Sequence, residues 1–114
     1  MQKIVAMVPL DELDEVMRAV LALRVRCQMS ATGVRYADGT VTHRQEYRGV
    51  SYETPWETRA RLEIVVSSKE TESVLGTLAG LLDRDRKKDE AILVSEVDDA
   101  LRVRTARRGE IAFY

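Results

Sequence analysis

The order of apolar patterns along the chain constrains its fold more than any other feature of the sequence. Residues 3–8 form a β-branched and apolar run that ends at Pro9, which predicts a strand. In residues 11–24 apolar side chains recur at helical spacing after Asp11, a favoured N-cap residue, so this stretch predicts a helix. Residues 25–36 have mixed polarity without a helical stripe and predict a second strand. The first part of the chain therefore has a strand–helix–strand pattern.

The same pattern repeats after a long interval. Residues 59–66 alternate between apolar and charged side chains, as expected of a strand with one buried face. Ser67 and Glu70 have the spacing of a capping box, which favours the start of a helix. The apolar residues of this second helix are Val74, Leu75, Leu78, Leu81 and Leu82. A charged run at 83–90 ends the helix, and residues 91–95 predict a strand.

The remaining residues predict one helical turn at 96–101, a final alternating strand at 101–105 and a short tail at 106–114. Two successive β-α-β units in 114 residues fit one α+β domain, a ferredoxin-like βαββαβ sandwich with both helices on one face of an antiparallel sheet. The strand at 3–8 is apolar on both sides. Because the helices cover one face only, we expect self-association to cover the other.

A long polar segment separates the two units. Residues 37–58 contain Asp38-Gly39, Gly49 and Pro55, and they show no sustained periodicity. Stretches of this length inside a compact domain are usually functional or mobile. We therefore expect this segment to carry an important part of the function.

Composition and charge exclude several classes of protein. Hydrophobic residues make up 45% and charged residues 32% of the chain, as in an ordinary globular domain. The formal net charge of -1 gives no electrostatic reason to expect nucleic acid as a partner. The apolar runs are far shorter than the roughly 20 residues of a membrane-spanning helix. The N-terminus has no secretory signal pattern and Cys27 has no pairing cysteine, so the sequence predicts a cytoplasmic protein that is not embedded in a membrane.

The sequence also lacks the residue combinations of an enzyme or a metal site. His43 is the only histidine and Cys27 the only cysteine, so no metal site is predicted. Acylphosphatase-type catalysis on this fold needs an asparagine, which the chain does not contain, and no Ser-His-Asp or Cys-His pairing is suggested. RNA-recognition motifs carry aromatic residues on their central strands. Here Tyr47, Tyr52 and Trp56 lie in the polar segment. We expect neither an enzyme nor an RNA-binding protein.

Four stretches of the sequence resemble one family of signalling proteins. They are KIVAMVPLDELDEV at 3–16, YRGVSY at 47–52, RARLEIVV at 59–66 and LRVRT at 101–105. They occur in the order of the PII family of signal-transduction proteins and at nearly its spacing, and the resemblance covers essentially the whole chain. The sequence is therefore identified as a divergent member of this family.

The resemblance implies a homotrimer of ferredoxin-like subunits that binds an adenine nucleotide in each cleft between neighbours. The residues at nucleotide-binding positions are Met7, Ser30, Glu63, Val65, Lys88, Asp89, Arg102 and Arg104. Residues 37–58 match the T-loop, which in the family changes shape with the ligand and docks onto a membrane transporter, a metabolic enzyme or a regulator. Tyr47, Arg48 and Tyr52 match T-loop positions for partner contact or modification. Such a protein is a regulator and not an enzyme.

The predicted phosphate loop, at 83–91, departs from the family pattern. It lacks every glycine of that pattern and the lysine that precedes the isoleucine. Glycines let backbone N–H groups wrap closely around a phosphate, so we expect Arg86, Lys87 and Lys88 to supply positive charge instead. The bulkier side chains and additional acids favour a nucleotide with fewer phosphates, so ADP or AMP is expected rather than ATP.

The base of the T-loop also departs from the family pattern. Thr40 and Asp38 stand near the family's glutamine and glycine at the 2-oxoglutarate site, and Arg59 replaces the lysine that pairs with this ligand. The resemblance is therefore to members linked to inorganic-carbon metabolism, which bind ADP or AMP together with bicarbonate. Arg59, Gly39 and Thr40 are then the predicted site of a small anion.

Two alternatives remain open from the sequence. A nitrogen-regulatory PII protein would respond to ATP or ADP and to 2-oxoglutarate. A purely structural trimer would have lost nucleotide binding, which the altered loop at 83–91 favours and the retained Arg102 and Arg104 oppose.

Overall fold

The computed structural model describes residues 1–39, 42–82 and 91–113. Its elements, in chain order, are β1 (Gln2–Pro9), α1 (Leu13–Ala22), β2 (Cys27–Tyr36), β3 (His43–Tyr47), β4 (Val50–Thr54), β5 (Glu57–Val66), α2 (Thr71–Leu82) and β6 (Leu93–Glu96). Short 3-10 turns precede the helices at Leu10–Glu12 and Ser68–Glu70, and a further one forms at Gly109–Phe113.

β1 and β5 form the centre of the main antiparallel sheet. In the described ranges this sheet has four strands in the order β2-β5-β1-β6. Ile4 of β1 pairs with Ile64 of β5 on one side and with Val94 of β6 on the other. Met29 of β2 pairs with Ile64 from the far side of β5. This strand order and the two helices confirm the predicted ferredoxin-like α+β fold.

Both helices pack on one face of this sheet. The buried core consists of Ile4, Ala6, Val8, Leu62, Ile64 and Val66 from the strands, Val16 and Val20 from α1, and Val74 and Leu78 from α2. Since successive residues of a strand point to opposite faces, the odd-numbered residues of β1 and β5 lie on the other side of the sheet. We call that side the open face; it also carries the even-numbered residues of β2. None of the helices in the described ranges combines the length and apolar character needed to cross a lipid bilayer.

The helix starts differ from the sequence-based prediction. Asp11 lies inside the turn Leu10–Glu12 and is not an N-cap, and α1 begins at Leu13. In the described structure Ser67 makes no side-chain capping hydrogen bond, and the Glu70 amide donates to the Ser67 carbonyl oxygen (2.9 Å). The 3-10 turns engage terminal amide groups through the backbone, so neither helix relies on the predicted side-chain cap.

The polar segment at 37–58 contains a hairpin that its sequence pattern does not reveal. β3 and β4 pair antiparallel, with Tyr47 opposite Val50. Arg48 and Gly49 form the connection, with φ values of 52° and 76°. Positive φ at both central residues is typical of a type I′ turn, whose twist matches that of the flanking strands. β5 then begins at Glu57, two residues earlier than predicted.

The chain after β6 differs most from the prediction. The strand expected at 101–105 is a chain reversal, in which the Arg102 amide donates to the Arg107 carbonyl oxygen (2.9 Å). Ala106 lies in this reversal with a left-handed φ of 58° and donates its amide to the Arg102 carbonyl oxygen (2.7 Å). The alternation of LRVRT therefore does not place Arg102 and Arg104 on one strand face.

The helical turn predicted at 96–101 is also wrong. Glu96 ends β6, and the described residues 97–100 that follow are irregular. The Val97 amide donates to the Met1 carbonyl oxygen (3.0 Å). This bond continues the pairing of β6 with β1 and keeps the chain extended.

Ile64→Ala tests the assignment of the core. Ile64 is fully buried, so removing most of its side chain leaves a cavity, and we expect a loss of about 2–5 kcal/mol in the free energy of unfolding. Urea unfolding followed by circular dichroism measures this quantity. Val50→Ala, at an exposed hairpin position, is the control and should change it by less than about 0.5 kcal/mol. Equal losses for the two variants would contradict the assigned core.

Candidate functional site

A depression on the open face collects several of the predicted nucleotide-binding residues. Ser30 of β2 lies directly opposite Glu63 of β5, and Val65 lies opposite Gln28. Together with Met29 these residues line a cavity of about 450 Å³. Strand register therefore brings Ser30 close to Glu63 and Val65, although it is far from both in sequence.

Met7 belongs to the same surface. Met7 pairs with Arg61, which lies two residues before Glu63 on β5. Val5, two residues before Met7 on β1, pairs with Glu63 itself. Alternation within β1 and β5 places Met7, Glu63 and Val65 on the open face. The surface thus offers apolar side chains beside a carboxylate and a hydroxyl, a combination that suits the flat ring and sugar of a nucleoside.

Glu63 is held in place by its own strand. Its carboxylate forms an ion pair with Arg61 at 3.0 Å, and both side chains remain partly exposed to solvent. Residues two apart on a strand share a face, so this pair stands on the open face. The carboxylate is oriented by Arg61 and still accessible to a ligand.

Arg102 and Arg104 lie on a separate segment, residues 97–113, which we call the C-terminal segment. Both arginines are exposed, and the Arg102 Nε donates to the carbonyl oxygen of Ala112. Ser30 lies on β2, an outer strand of the main sheet, whereas the C-terminal segment follows β6, the outer strand on the opposite side. Lys88 and Asp89, with the rest of 83–90, lie outside the described residues.

Two carboxylates stabilise the C-terminal segment. The Glu110 Oε1 accepts hydrogen bonds from the Ser68 amide (3.2 Å) and the Met1 ammonium group (3.1 Å). These bonds, led by that of the Ser68 amide, lower the pKa of Glu110 from 4.5 to about 2. The Arg108 side chain donates to Asp99 with its Nε (3.0 Å) and chiefly causes the lowered pKa of that carboxyl group. Glu110 therefore attaches the C-terminal segment to Met1 and Ser68, and the Asp99–Arg108 contact closes the reversal that carries Arg102 and Arg104.

Arg59 sits at the base of the T-loop and is buried, not on a solvated strand face as its alternation with apolar residues predicts. The residue is 1% exposed. Its Nη2 donates to the Glu57 Oε2 at 3.0 Å, and its guanidinium carbon lies 5.2 Å from the centre of the Tyr36 ring. Gly39 is close in sequence to Tyr36 and is exposed, whereas Thr40 lies outside the described residues.

Glu57 contacts a residue of the candidate site, and the sequence-based prediction did not include it. The prediction ended the polar segment at residue 58, which left Glu57 without a defined face. Because β5 begins at Glu57, this residue shares a face with Arg59 two positions later. The sequence did contain a signal for this pair, because a glutamate stands two positions before an arginine in an extended stretch.

Trp56 lies just before β5 and is not buried within the chain. The residue is 42% exposed. The Arg35 guanidinium carbon lies 5.3 Å from the centre of its ring, within the range of a cation–π contact. The contact joins the end of β2 to the residue just before β5.

The hairpin presents an aromatic face to solvent. Tyr47, Val50 and Tyr52 are all exposed, and the pairing of Tyr47 with Val50 and of Gln45 with Tyr52 places them on one side. The Tyr52 hydroxyl donates to the Gln45 Oε1 (3.0 Å). Arg48, in the turn, lies over the Tyr47 ring at 5.3 Å. Three predicted T-loop residues are thus gathered at the tip.

Comparison with known proteins concerns the whole chain. No family model matches it. The nitrogen regulatory protein P-II of Cereibacter sphaeroides is 30% identical over 112 residues, which span 98% of this chain and 99% of that protein. The P-II 2 protein of Methanothermobacter thermautotrophicus is 30% identical over 113 residues (98% and 96%). The P-II protein of Rhizobium meliloti is 27% identical over 109 residues (96% of each). The similarity includes the hairpin and the C-terminal segment.

The lowered pKa of Glu110 implies a loss of stability in acid. A carboxylate with a lowered folded-state pKa stabilises the fold above its unfolded pKa, and this contribution disappears as pH falls through the folded pKa. For Glu110 the window runs from 4.5 down to about 2. We therefore expect Glu110→Gln to lower the Tm at neutral pH and to weaken the dependence of Tm on pH in this window.

Thermal unfolding followed by circular dichroism across the window measures the effect. Asp98→Asn removes an exposed carboxylate from the same segment and is the control. If Glu110→Gln changes the Tm profile no more than Asp98→Asn does, the anchor at Glu110 is not a stabilising contact.

Proposed function

This chain belongs to the PII family of nitrogen regulatory proteins, and from that premise we propose that it is a regulatory trimer that reports an adenine nucleotide through its T-loop. Its near full-length similarity to the P-II protein of Cereibacter sphaeroides carries the proposal. Members of this family are signalling regulators, and the chain is accordingly a regulator and not an enzyme. We further propose that the protein acts in the cytoplasm.

The proposed nucleotide site joins two neighbouring subunits. Ser30 lies on the outer strand β2 and Glu63 lies opposite it on β5, whereas Arg102 and Arg104 follow the outer strand β6. A head-to-tail contact between identical subunits closes into a ring when the rotation between them allows it. Such a contact would bring the open-face depression of one subunit to the C-terminal segment of the next. It would also cover Leu93, an exposed apolar residue that pairs with Val5.

The proposed ligand is ADP or AMP in preference to ATP. Guanidinium groups match the geometry of phosphate oxygens, so Arg102 and Arg104 would bind the phosphates. Lys88 and Asp89 are proposed as further contacts on the sequence alone. The absence of glycine from 83–91 disfavours a close backbone cradle for a third phosphate.

The proposed output is the docking of the T-loop onto a membrane transporter, a metabolic enzyme or another regulator. Tyr47 and Tyr52 supply exposed aromatic area on one side of the hairpin, and Arg48 supplies charge at its tip. Aromatic residues and arginine are enriched among the residues that dominate protein–protein binding. This supports the hairpin tip as the surface that the partner contacts.

A second candidate is nitrogen regulation through 2-oxoglutarate. The names of the relatives favour nitrogen regulation, while the burial of Arg59 beside Glu57 and Tyr36 favours a small anion over a larger dicarboxylate at that position. The proposed second ligand is instead a small anion such as bicarbonate at Arg59, Gly39 and Thr40.

Calorimetry with AMP, ADP and ATP, each with and without bicarbonate or 2-oxoglutarate, tests the proposal. We expect AMP or ADP to bind more tightly than ATP, and Arg102→Ala to weaken binding by about 10- to 100-fold, because it removes a charged hydrogen-bond donor to phosphate.

Arg107→Ala is the matched control, since Arg107 is an exposed arginine of the same reversal and pairs with Arg102 through its backbone alone. An absence of heat with every nucleotide at millimolar concentration would favour the structural trimer. Tighter binding of ATP together with a response to 2-oxoglutarate would favour the nitrogen regulator.

A further inference from the structure

The guanidinium group of Arg59 cannot be reached from solvent without a movement of its surroundings. Only 2% of the side chain is exposed. The Glu57 carboxylate lies against its Nη2 at 3.0 Å, and the Tyr36 ring lies over it. A buried cation without a counter-charge is strongly destabilising, so the ion pair with Glu57 supports the burial of Arg59.

Glu57 is the more exposed partner of the pair. Its side chain is 24% exposed, against 2% for Arg59. A carboxylate that faces solvent on one side and a buried guanidinium on the other stands on the path that an external anion would take. An anion would therefore reach Arg59 by replacing this carboxylate.

A tethered carboxylate competes strongly with a free one. A group held near its target by a short chain acts at an effective concentration of millimolar or more, and β5 holds Glu57 close to Arg59 before any ligand arrives. The chemistry of the two competitors is the same, because bicarbonate and carboxylates both offer planar oxygens to a guanidinium fork. The concentration of free anion needed at Arg59 is therefore set by Glu57.

The position of Glu57 also connects this exchange to the hairpin. β4 ends at Thr54 and β5 begins at Glu57, so only Pro55 and Trp56 separate Glu57 from the hairpin. Trp56, which contacts Arg35, directly precedes Glu57 in the sequence. Displacement of the Glu57 side chain would change the start of β5, where the hairpin is attached.

We propose that Glu57 is a built-in competitor for the anion site, a carboxylate that occupies Arg59 until a small free oxyanion, bicarbonate or a monocarboxylate, replaces it and releases the base of the T-loop. This inference rests on the proposed function for the position of the anion site. It does not require that a nucleotide binds.

Glu57→Gln tests the competition, because it keeps the size of the side chain and removes its charge. Trp56 is the single tryptophan of the chain, so its fluorescence reports the loop base directly. The probes are sodium bicarbonate, sodium formate and 2-oxoglutarate, with sodium chloride at matched ionic strength. We expect the half-effective concentration of bicarbonate or formate to fall at least about tenfold relative to the wild type.

Three further variants separate competition from a purely structural role. Glu53→Gln removes an exposed hairpin glutamate and should leave the titration unchanged. Glu57→Asp keeps the charge and should fall between the wild type and Glu57→Gln. Glu57→Gln combined with Arg59→Met lacks the guanidinium and should show no specific response to any anion. Circular dichroism confirms that each variant is folded.

Equal titrations for the wild type and Glu57→Gln would overturn the proposal, as would a response that persists in the double variant or that is confined to 2-oxoglutarate. Calorimetry with ADP on the same proteins tests the proposed nucleotide sensor separately from the proposed role of Glu57. Lost nucleotide binding with an intact anion effect would contradict the proposed nucleotide sensor alone, and the reverse would contradict the role of Glu57 alone.

Discussion

The pairing of β1 with β5 brings apolar residues to both faces of the main sheet. Ile4 and Ile64 face the helices and are fully buried, whereas Val5 and Val65 lie on the open face by alternation. The helices can cover one face only, so the other is left to a ligand, to a neighbouring subunit or to both. The depression beside Glu63 occupies this same face. In the proposed trimer, assembly and ligand binding would therefore use the same face of the sheet.

β5 carries two ion pairs along that face, one near the depression and one at the base of the hairpin. Glu63 pairs with the partly exposed Arg61 near the depression, where a solvated pair can exchange partners at little cost. Glu57 pairs with the buried Arg59 at the loop base, where an exchange must replace one anion by another. A single strand thus reaches from the proposed nucleotide site to the base of the hairpin.

The main sheet could be predicted from the sequence because burial on one side leaves a period-two pattern, as in residues 59–66. The hairpin could not, since Tyr47, Val50 and Tyr52 are exposed and no one-sided burial shapes their pattern. The alternation of LRVRT was misleading for a related reason. Val103 is 92% exposed. An alternation of apolar and charged residues does not show whether the apolar residues of that segment are buried in a core.

The candidate site was predictable in part. The resemblance to PII proteins pointed to Met7, Ser30, Glu63 and Val65, and strand pairing places them on one surface. The anchor of the C-terminal segment depends on contacts between distant parts of the chain, those of Glu110 with Met1 and Ser68, which no local pattern encodes. Glu57 was missed because one strand boundary was placed two residues late.

The central claim is that each nucleotide site is shared between two subunits, and subunit mixing tests it most directly. Arg102→Ala would remove the proposed phosphate contact from one side of the proposed cleft, and Ser30→Trp would fill the depression on the other. When the two variants are unfolded together and refolded as the proposed trimers, random assortment should restore about a quarter of the clefts, and ADP binding measured by calorimetry should return to that extent. Binding in the mixture no greater than in either variant alone would show that the two residues do not meet across an interface.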